Sequence, residues 1–397
     1  MKRAMTKRRA RVLLPILAVL AAALLSPLPA TAEEDAGRGT LKQAYADDFL
    51  VGVALNDEQI AGHPAGAQAL VLRQFNSITA ENVMKPAHLH PAPEVYDFSR
   101  GDAFVAFGRR NGLFVVGHTL LWHVQTPAWM FTDAAGRPNS ADTQLQLLRD
   151  YIGRVAGHYA GQVQAWDVAN EVIEEDGSYR QSPWLTNVGD GDRLLREAFA
   201  AAAQADPQAE LYYNDFNTFK PEKRAGIVRL VKMLQAAGLR IDGVGMQGHW
   251  GIDGPSIARI EETIDTFAAL GVKVMITELD VDMLPRPEKT DGLDADRNVE
   301  MPDDPRVRRR LDPYAGGLPA EAQQRLAARY AELFALFHRK RDVISRVTFW
   351  GLHDGQSWKN GFPVKGRTNH PLLFDRQLRP KPALDAVLQV PVPHAGH

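Results

Sequence analysis

Val163-Gln-Ala-Trp-Asp-Val-Ala-Asn-Glu171 is a short apolar run that ends in a carboxylate. Its length and its Val, Ala and Trp content predict a buried strand over 163–168. A helical pattern over 143–159 precedes it and another over 193–205 follows it. A buried carboxylate without a partner is costly, so a strand ending in Glu171 has a use for that group.

The same alternation extends in both directions. Further strands are predicted at 51–55, 77–79, 113–117, 210–213, 243–246, 272–277 and 346–350, eight in all. Helical patterns lie at 61–75, 102–111, 220–237, 257–270, 320–339 and 383–388. Asp142 marks one helix start, and Gly112, Gly238 and Gly271 mark helix ends. Eight strands alternating with eight helices in one domain predict an α/β fold, a (β/α)8 TIM barrel. An open doubly wound sheet is the alternative, but no Gly-x-Gly-x-x-Gly follows the first strand. Neither a Gly-x-Ser-x-Gly elbow nor a P-loop is present, so acyl transfer and nucleotide chemistry have no starting motif.

The chain has 397 residues, 45% apolar and 24% charged, which is ordinary globular usage. A net charge of -2 lacks the basic excess of a nucleic-acid binder. Residues 1–32 differ from the rest. A basic start (Lys2, Arg3, Lys7, Arg8, Arg9, Arg11), an apolar stretch over 12–25 and Ala30-Thr31-Ala32 predict a secretory signal peptide cut after Ala32. The expected divisions are the signal peptide, a flexible segment over 33–40, a barrel domain over 41–390 and a tail over 391–397. A long loop is expected over 284–318, after the seventh strand. The protein is expected to be exported to the periplasm or the exterior, as a monomer with no membrane contact after cleavage. With no cysteine, it has no disulfide framework and no thiol nucleophile.

In a TIM barrel, function sits where the strands end. Polar residues crowd those ends: Glu81, Asn82 and Lys85 after the second strand; His118, Trp122, His123 and Gln125 after the third; Asp167, Asn170 and Glu171 at the fourth. Asn214 and Asp215 follow the fifth, Gln247 and His249 the sixth, Glu278 and Asp280 the seventh, and Trp350, His353, Asp354 and Trp358 the eighth. Sugars offer hydroxyl edges and C–H faces. Trp122, Trp350 and Trp358 supply flat platforms, and Asn, Gln, Lys and His supply donors and acceptors. Two carboxylates across such a cleft are the minimum equipment for cutting a glycosidic bond. Zinc is the chemical rival, but His118 and His123 are five apart and point to opposite faces of an extended segment. No metal or cofactor is expected.

The motifs resemble glycoside hydrolase family 10, the retaining endo-β-1,4-xylanases. They are Thr79-Ala-Glu-Asn-Val-Met-Lys-Pro86, Gly117-His-Thr-Leu-Leu-Trp-His-Val-Gln-Thr-Pro-Ala-Trp129, Trp166-Asp-Val-Ala-Asn-Glu171, Tyr213-Asn-Asp215, Gln247-Gly-His249 and Ile276-Thr-Glu-Leu-Asp280. Trp350-Gly351, Pro371-Leu-Leu-Phe-Asp375 and Pro380-Lys-Pro382 match as well, all in family order.

The resemblance implies Glu171 as acid/base and Glu278 as nucleophile, with His249 and Asp280 around the nucleophile and Asn170 at the sugar 2-hydroxyl. It implies substrate contacts from Glu81, Asn82, Lys85, His118, Trp122, Gln125, Tyr213, Asn214 and Gln247, under a roof of Trp350 and Trp358. The expected substrates are xylan and xylo-oligosaccharides. A β-1,4-glucanase on the same barrel and a non-catalytic polysaccharide binder are the alternatives. His249 and a backbone or Asn170 donor are expected to stabilise ionised Glu278, whose charge should in turn raise the pKa of Glu171. Phe216 stands where relatives often have Tyr, and Leu384 replaces a frequent aromatic.

Overall fold

The structure, a computed structural model, describes residues 39–288 and 298–390. The expected signal peptide, most of the 33–40 segment, the 391–397 tail and residues 289–297 of the 284–318 loop lie outside the described residues.

Among the described residues, nine strands form one parallel sheet system: β1 Leu50–Leu55, β2 Ser77–Ala80, β3 Phe114–Leu121, β4 Ala165–Asn170, β5 Glu210–Asp215, β6 Gly243–Met246, β7 His249–Gly251, β8 Lys273–Asp282 and β9 Ile344–Phe349. Strands β1 to β6 pair in sequence order, β1 pairs with β9, β9 with β8, and β8 with β6. That last pairing closes an eight-stranded barrel and leaves β7 as an added rung on β8, so the expected (β/α)8 barrel is the fold. Closure removes every free sheet edge among these eight strands.

The strands are buried on both faces, which is why they read as apolar runs and not as alternating ones. Inside the barrel, Val116, Ala165, Tyr212 and Met275 pack together with Phe114 against them. Buried Arg346 lies near the strand starts, 5.7 Å from the Phe114 ring and 5.3 Å from that of Tyr212. Outside, the helices Ala141–His158, Gly191–Ala205, Pro221–Ala236, Ile257–Ala268 and Ala320–Arg339 cover the strands with their apolar faces.

The helix before β4 starts earlier than Asp142 suggests. Ser140 is the cap, accepting a hydrogen bond from the Thr143 N–H, and Asp142 lies in the first turn. Gly238 and Gly271 follow their helices at φ of 69° and 74°, a conformation that costs other residues more.

Two further departures matter for the site. The strands β3, β4 and β8 run past their predicted ends, with register shifts between His118 and Leu121 and between Ile276 and Leu279. And the 284–318 segment contains a helix, Pro305–Leu311, capped by Asp304 with proline at its first position. The Asp304-Pro305 pair is a helix-start signal that the surrounding prolines and charges obscure. A bridge between Val299 and Val364, and a hydrogen bond from Thr368 N to Asp312, tie this segment to the loop after β9.

Candidate active site

The C-terminal mouth of the barrel gathers nearly every polar residue expected there. Glu171 closes β4 with φ at 59°, a left-handed backbone that a non-glycine residue adopts only at some cost. Its N–H donates to Asn214 O at 2.9 Å, and its carbonyl accepts from Arg180 Nε at 2.7 Å. With both backbone groups held, the side chain turns to the cleft. There Oε1 accepts from Gln247 Nε2 at 2.8 Å and Oε2 from Trp122 Nε1 at 2.9 Å.

Glu278 sits inside β8, only 5% exposed. Its Oε1 accepts from Asn214 Nδ2 at 2.7 Å and its Oε2 faces His249 Nε2 at 3.0 Å. The added strand β7 explains the second contact. Gly248, at φ 81°, turns the chain after Gln247, and His249 then pairs in register with Asp280. His249 Nδ1 lies 2.9 Å from Asp280 Oδ2. Burial disfavours the imidazolium, but the charges and hydrogen bonds of Asp280 and Glu278 outweigh it and raise the histidine to about 9. His249 is therefore a cation at neutral pH and donates to both carboxylates. Asp280 also accepts from Trp358 Nε1 at 2.8 Å.

Four expectations need correction. Asn170 does not bond to Glu278; the second donor is Asn214, held in turn by Thr277 Oγ1 on Asn214 Oδ1 at 2.6 Å. Glu171 is not raised in the free protein. Burial pushes its carboxyl up, but the hydrogen bonds from Gln247 and Trp122 and the nearby His123 and Arg180 carry it below the ordinary carboxylate value. Tyr213 does not reach the cleft: it is wholly buried, and its hydroxyl bonds to Asp215 and to Ile173 N. Gln247 and Asn214 spend their side-chain amides on the two glutamates, so they hold the carboxylates in place.

The other expected residues form one wall. Lys85 Nζ donates to Asn82 Oδ1 at 3.0 Å and stands 4.7 Å from the Trp122 ring. Burial lowers its pKa, against the opposing pull of Glu278, Glu81 and Glu171. Burial raises that of Glu81, which faces Gln356 Nε2 at 3.5 Å. Gln125, at φ 49°, turns its amide to Asn82 Oδ1 at 3.3 Å. His118 is buried with Nδ1 2.8 Å from Asp167 Oδ2 and its ring edge against Trp350. Trp358 stacks on Phe362 with centroids 5.1 Å apart.

Thr277, Arg180 and Gln356 escape a sequence reading. Thr277 looks like a β-branched packing residue of a buried run, and the other two belong to loops whose path no spacing rule supplies.

Gln247 and Asn214 each touch both glutamates: Gln247 Nε2 donates to Glu171 while its backbone carbonyl accepts the Glu278 N–H at 2.6 Å, and Asn214 Nδ2 donates to Glu278 while its backbone carbonyl accepts the Glu171 N–H at 2.9 Å. Such a pair of carboxylates can deliver a proton from one side and attack carbon from the other.

Comparison with known proteins agrees with this chemistry. The profile of the family described as Glycosyl hydrolase family 10 matches residues 40–390. The chain is 41% identical over 367 residues to an endo-1,4-beta-xylanase A of Xylanibacter ruminicola, covering 92% of this chain and 96% of that protein. It is 39% identical over 358 residues to an endo-1,4-beta-xylanase of Geobacillus stearothermophilus, covering 88% and 98%. A solved GH10 endoxylanase from a sugarcane soil metagenome superposes with a TM-score of 0.82 at 41% identity, covering 89% of this chain and 100% of the other.

Proposed function

The chain belongs to glycosyl hydrolase family 10, and on that premise we propose that it is an endo-1,4-β-xylanase that cuts internal xylan bonds by double displacement. The observation that carries the reading is the linked pair of carboxylates, Glu171 held by Gln247 and Trp122 and Glu278 held by Asn214 and His249.

In the first step Glu278 attacks the anomeric carbon, the bond to the leaving oxygen breaks, and Glu171 gives that oxygen its proton. In the second step Glu171 takes a proton from water, the water oxygen bonds to the same carbon, and Glu278 leaves. Asn214 and His249 hold the Glu278 carboxylate in place for attack. Donors on Glu171 favour its ionised form, which suits the second step. The first step requires Glu171 to take up a proton, and an incoming sugar that strips water from the carboxyl drives that uptake.

Trp350 and Trp358 support xylose over glucose. Trp358 is pinned by Asp280 and stacked on Phe362, so it does not yield easily to a hydroxymethyl group. Reducing-sugar release from xylan, with little from carboxymethylcellulose, is the expected result. The reading includes a monomeric enzyme. It also includes export, supported by the basic start, the apolar stretch and Ala30-Thr31-Ala32. A mature N-terminus at Glu33 would bear that out, and a retained leader would not.

The chemical test is Glu278→Ala with added azide. Activity should fall by several orders of magnitude and return with azide as an α-linked xylosyl azide. Activity that survives the substitution removes Glu278 from the role.

A further inference from the structure

Strand β5 serves the two glutamates from its two faces. Tyr212 and Asn214 point into the barrel, and Asn214 holds Glu278. Tyr213 and Asp215 point outward, toward the segment that leaves Glu171. That segment is a hairpin: Arg180 N donates to Val172 O, and Ile173 bridges to Tyr179. Glu171 is its root.

The Tyr213 hydroxyl accepts from Ile173 N at 3.2 Å and donates to Asp215 Oδ2. Asp215 Oδ1 lies 2.8 Å from Lys223 Nζ. Lys223 stands in the first turn of the helix Pro221–Ala236, its Nζ 3.6 Å from the Phe216 ring centroid and 3.8 Å from Glu175 of the hairpin. Asp215 and Lys223 are both wholly buried. The hairpin also rests on this helix by backbone. A Cβ at Gly226 would stand 2.6 Å from Gly177 O, and Arg229 donates to that same oxygen at 2.6 Å.

We propose that Tyr213, Asp215 and Lys223 are positioning residues for the acid/base, fixing the root of the hairpin so that Glu171 meets the leaving oxygen. Stability alone is a poor reason for the arrangement. A fully buried ion pair is commonly matched or bettered by apolar side chains of the same volume. What the three residues add is direction: a rigid line from helix to strand to the second residue past Glu171. None of the three bonds to Glu278, which has its own supports. The inference rests on the proposed xylanase reading, and its effect falls on proton delivery alone.

The test uses the full chain and aryl β-xylobiosides whose leaving groups differ in acidity. A 2,4-dinitrophenolate leaves without a proton, whereas an unactivated phenolate or a xylan chain needs one. Tyr213→Phe deletes one hydroxyl, and Lys223→Met keeps the length of the side chain without its charge. In either variant, kcat/KM should fall tenfold or more on the phenyl glycoside and on xylan, and less than about twofold on the dinitrophenyl glycoside. An equal fall on all substrates, or no fall on any, overturns the inference. So does failure of both variants to fold, which would make the group a folding element. Absence of turnover by the wild-type enzyme on every xyloside would instead overturn the xylanase reading itself.

Discussion

At the scale of single residues, the site depends on where each charge obtains its hydrogen bonds. His249 shows this most directly. Its folded pKa of about 9 exceeds the ordinary 6.5 because Asp280 and Glu278 favour the imidazolium. A histidine with a raised folded pKa contributes stability that is complete below about 6.5 and lost as pH rises to about 9. The melting-temperature gap between wild type and His249→Gln should therefore be widest at pH 5–6 and shrink steadily toward pH 9. A gap that is constant across this range would contradict the pairing.

The residues of the site were legible because their types fit a sugar cleft and they cluster at the strand ends. Their partners were not. Asn170 and Asn214 are both asparagines at neighbouring strand ends, and only the register of β4 on β5 decides which one reaches Glu278. The lowered Glu171 escapes the sequence for a similar reason: the hydrogen bonds from Gln247 and Trp122 that outweigh its burial come from distant segments and show only in the fold.

At the scale of elements, close approach of strands and helices sets what each position tolerates. Gly117 on β3 lies under the indole of Trp166 on β4, where an added methyl would overlap the ring. Gly117→Ala should cost about 1–3 kcal/mol, the range for overpacking a well-packed core, read as a lowered urea midpoint. An unchanged midpoint would show that the ring can move aside.

Strand positions were legible because a barrel buries both faces and leaves apolar runs. Their ends were not, since β3 and β8 continue through register shifts into polar residues that read as loop. The short strand β7 was invisible, because three residues carry no periodicity and its pairing depends on the turn at Gly248.

At the scale of the whole molecule, the two ends of the described chain meet. Tyr45 donates to Val387 O at 2.7 Å, joining the first described helix to the last. Lys381 is buried, and its Nζ reaches Asp354 Oδ2 at 2.9 Å, His370 O at 2.9 Å and Leu372 O at 2.7 Å. Asp354 belongs to the loop that carries Trp350 and Trp358, so this one ammonium ties the C-terminal segment to that loop. Lys381→Met leaves a buried carboxylate without its cation and should cost about 3 kcal/mol or more, measured by chemical denaturation. A loss within experimental error would show the pair to be dispensable. The Pro-Lys-Pro segment matched the family pattern, but its purpose lies in a contact with a residue 27 positions earlier.

The central claim is that Glu278 forms the covalent bond while Glu171 handles the proton. It is tested most directly by inactivating the enzyme with a 2-deoxy-2-fluoro-xylobioside bearing a good leaving group and mapping the modified peptide by mass spectrometry. One sugar adduct per chain, on Glu278, is expected. An adduct on Glu171 or on any other residue, or turnover of xylan with inverted configuration, would contradict it.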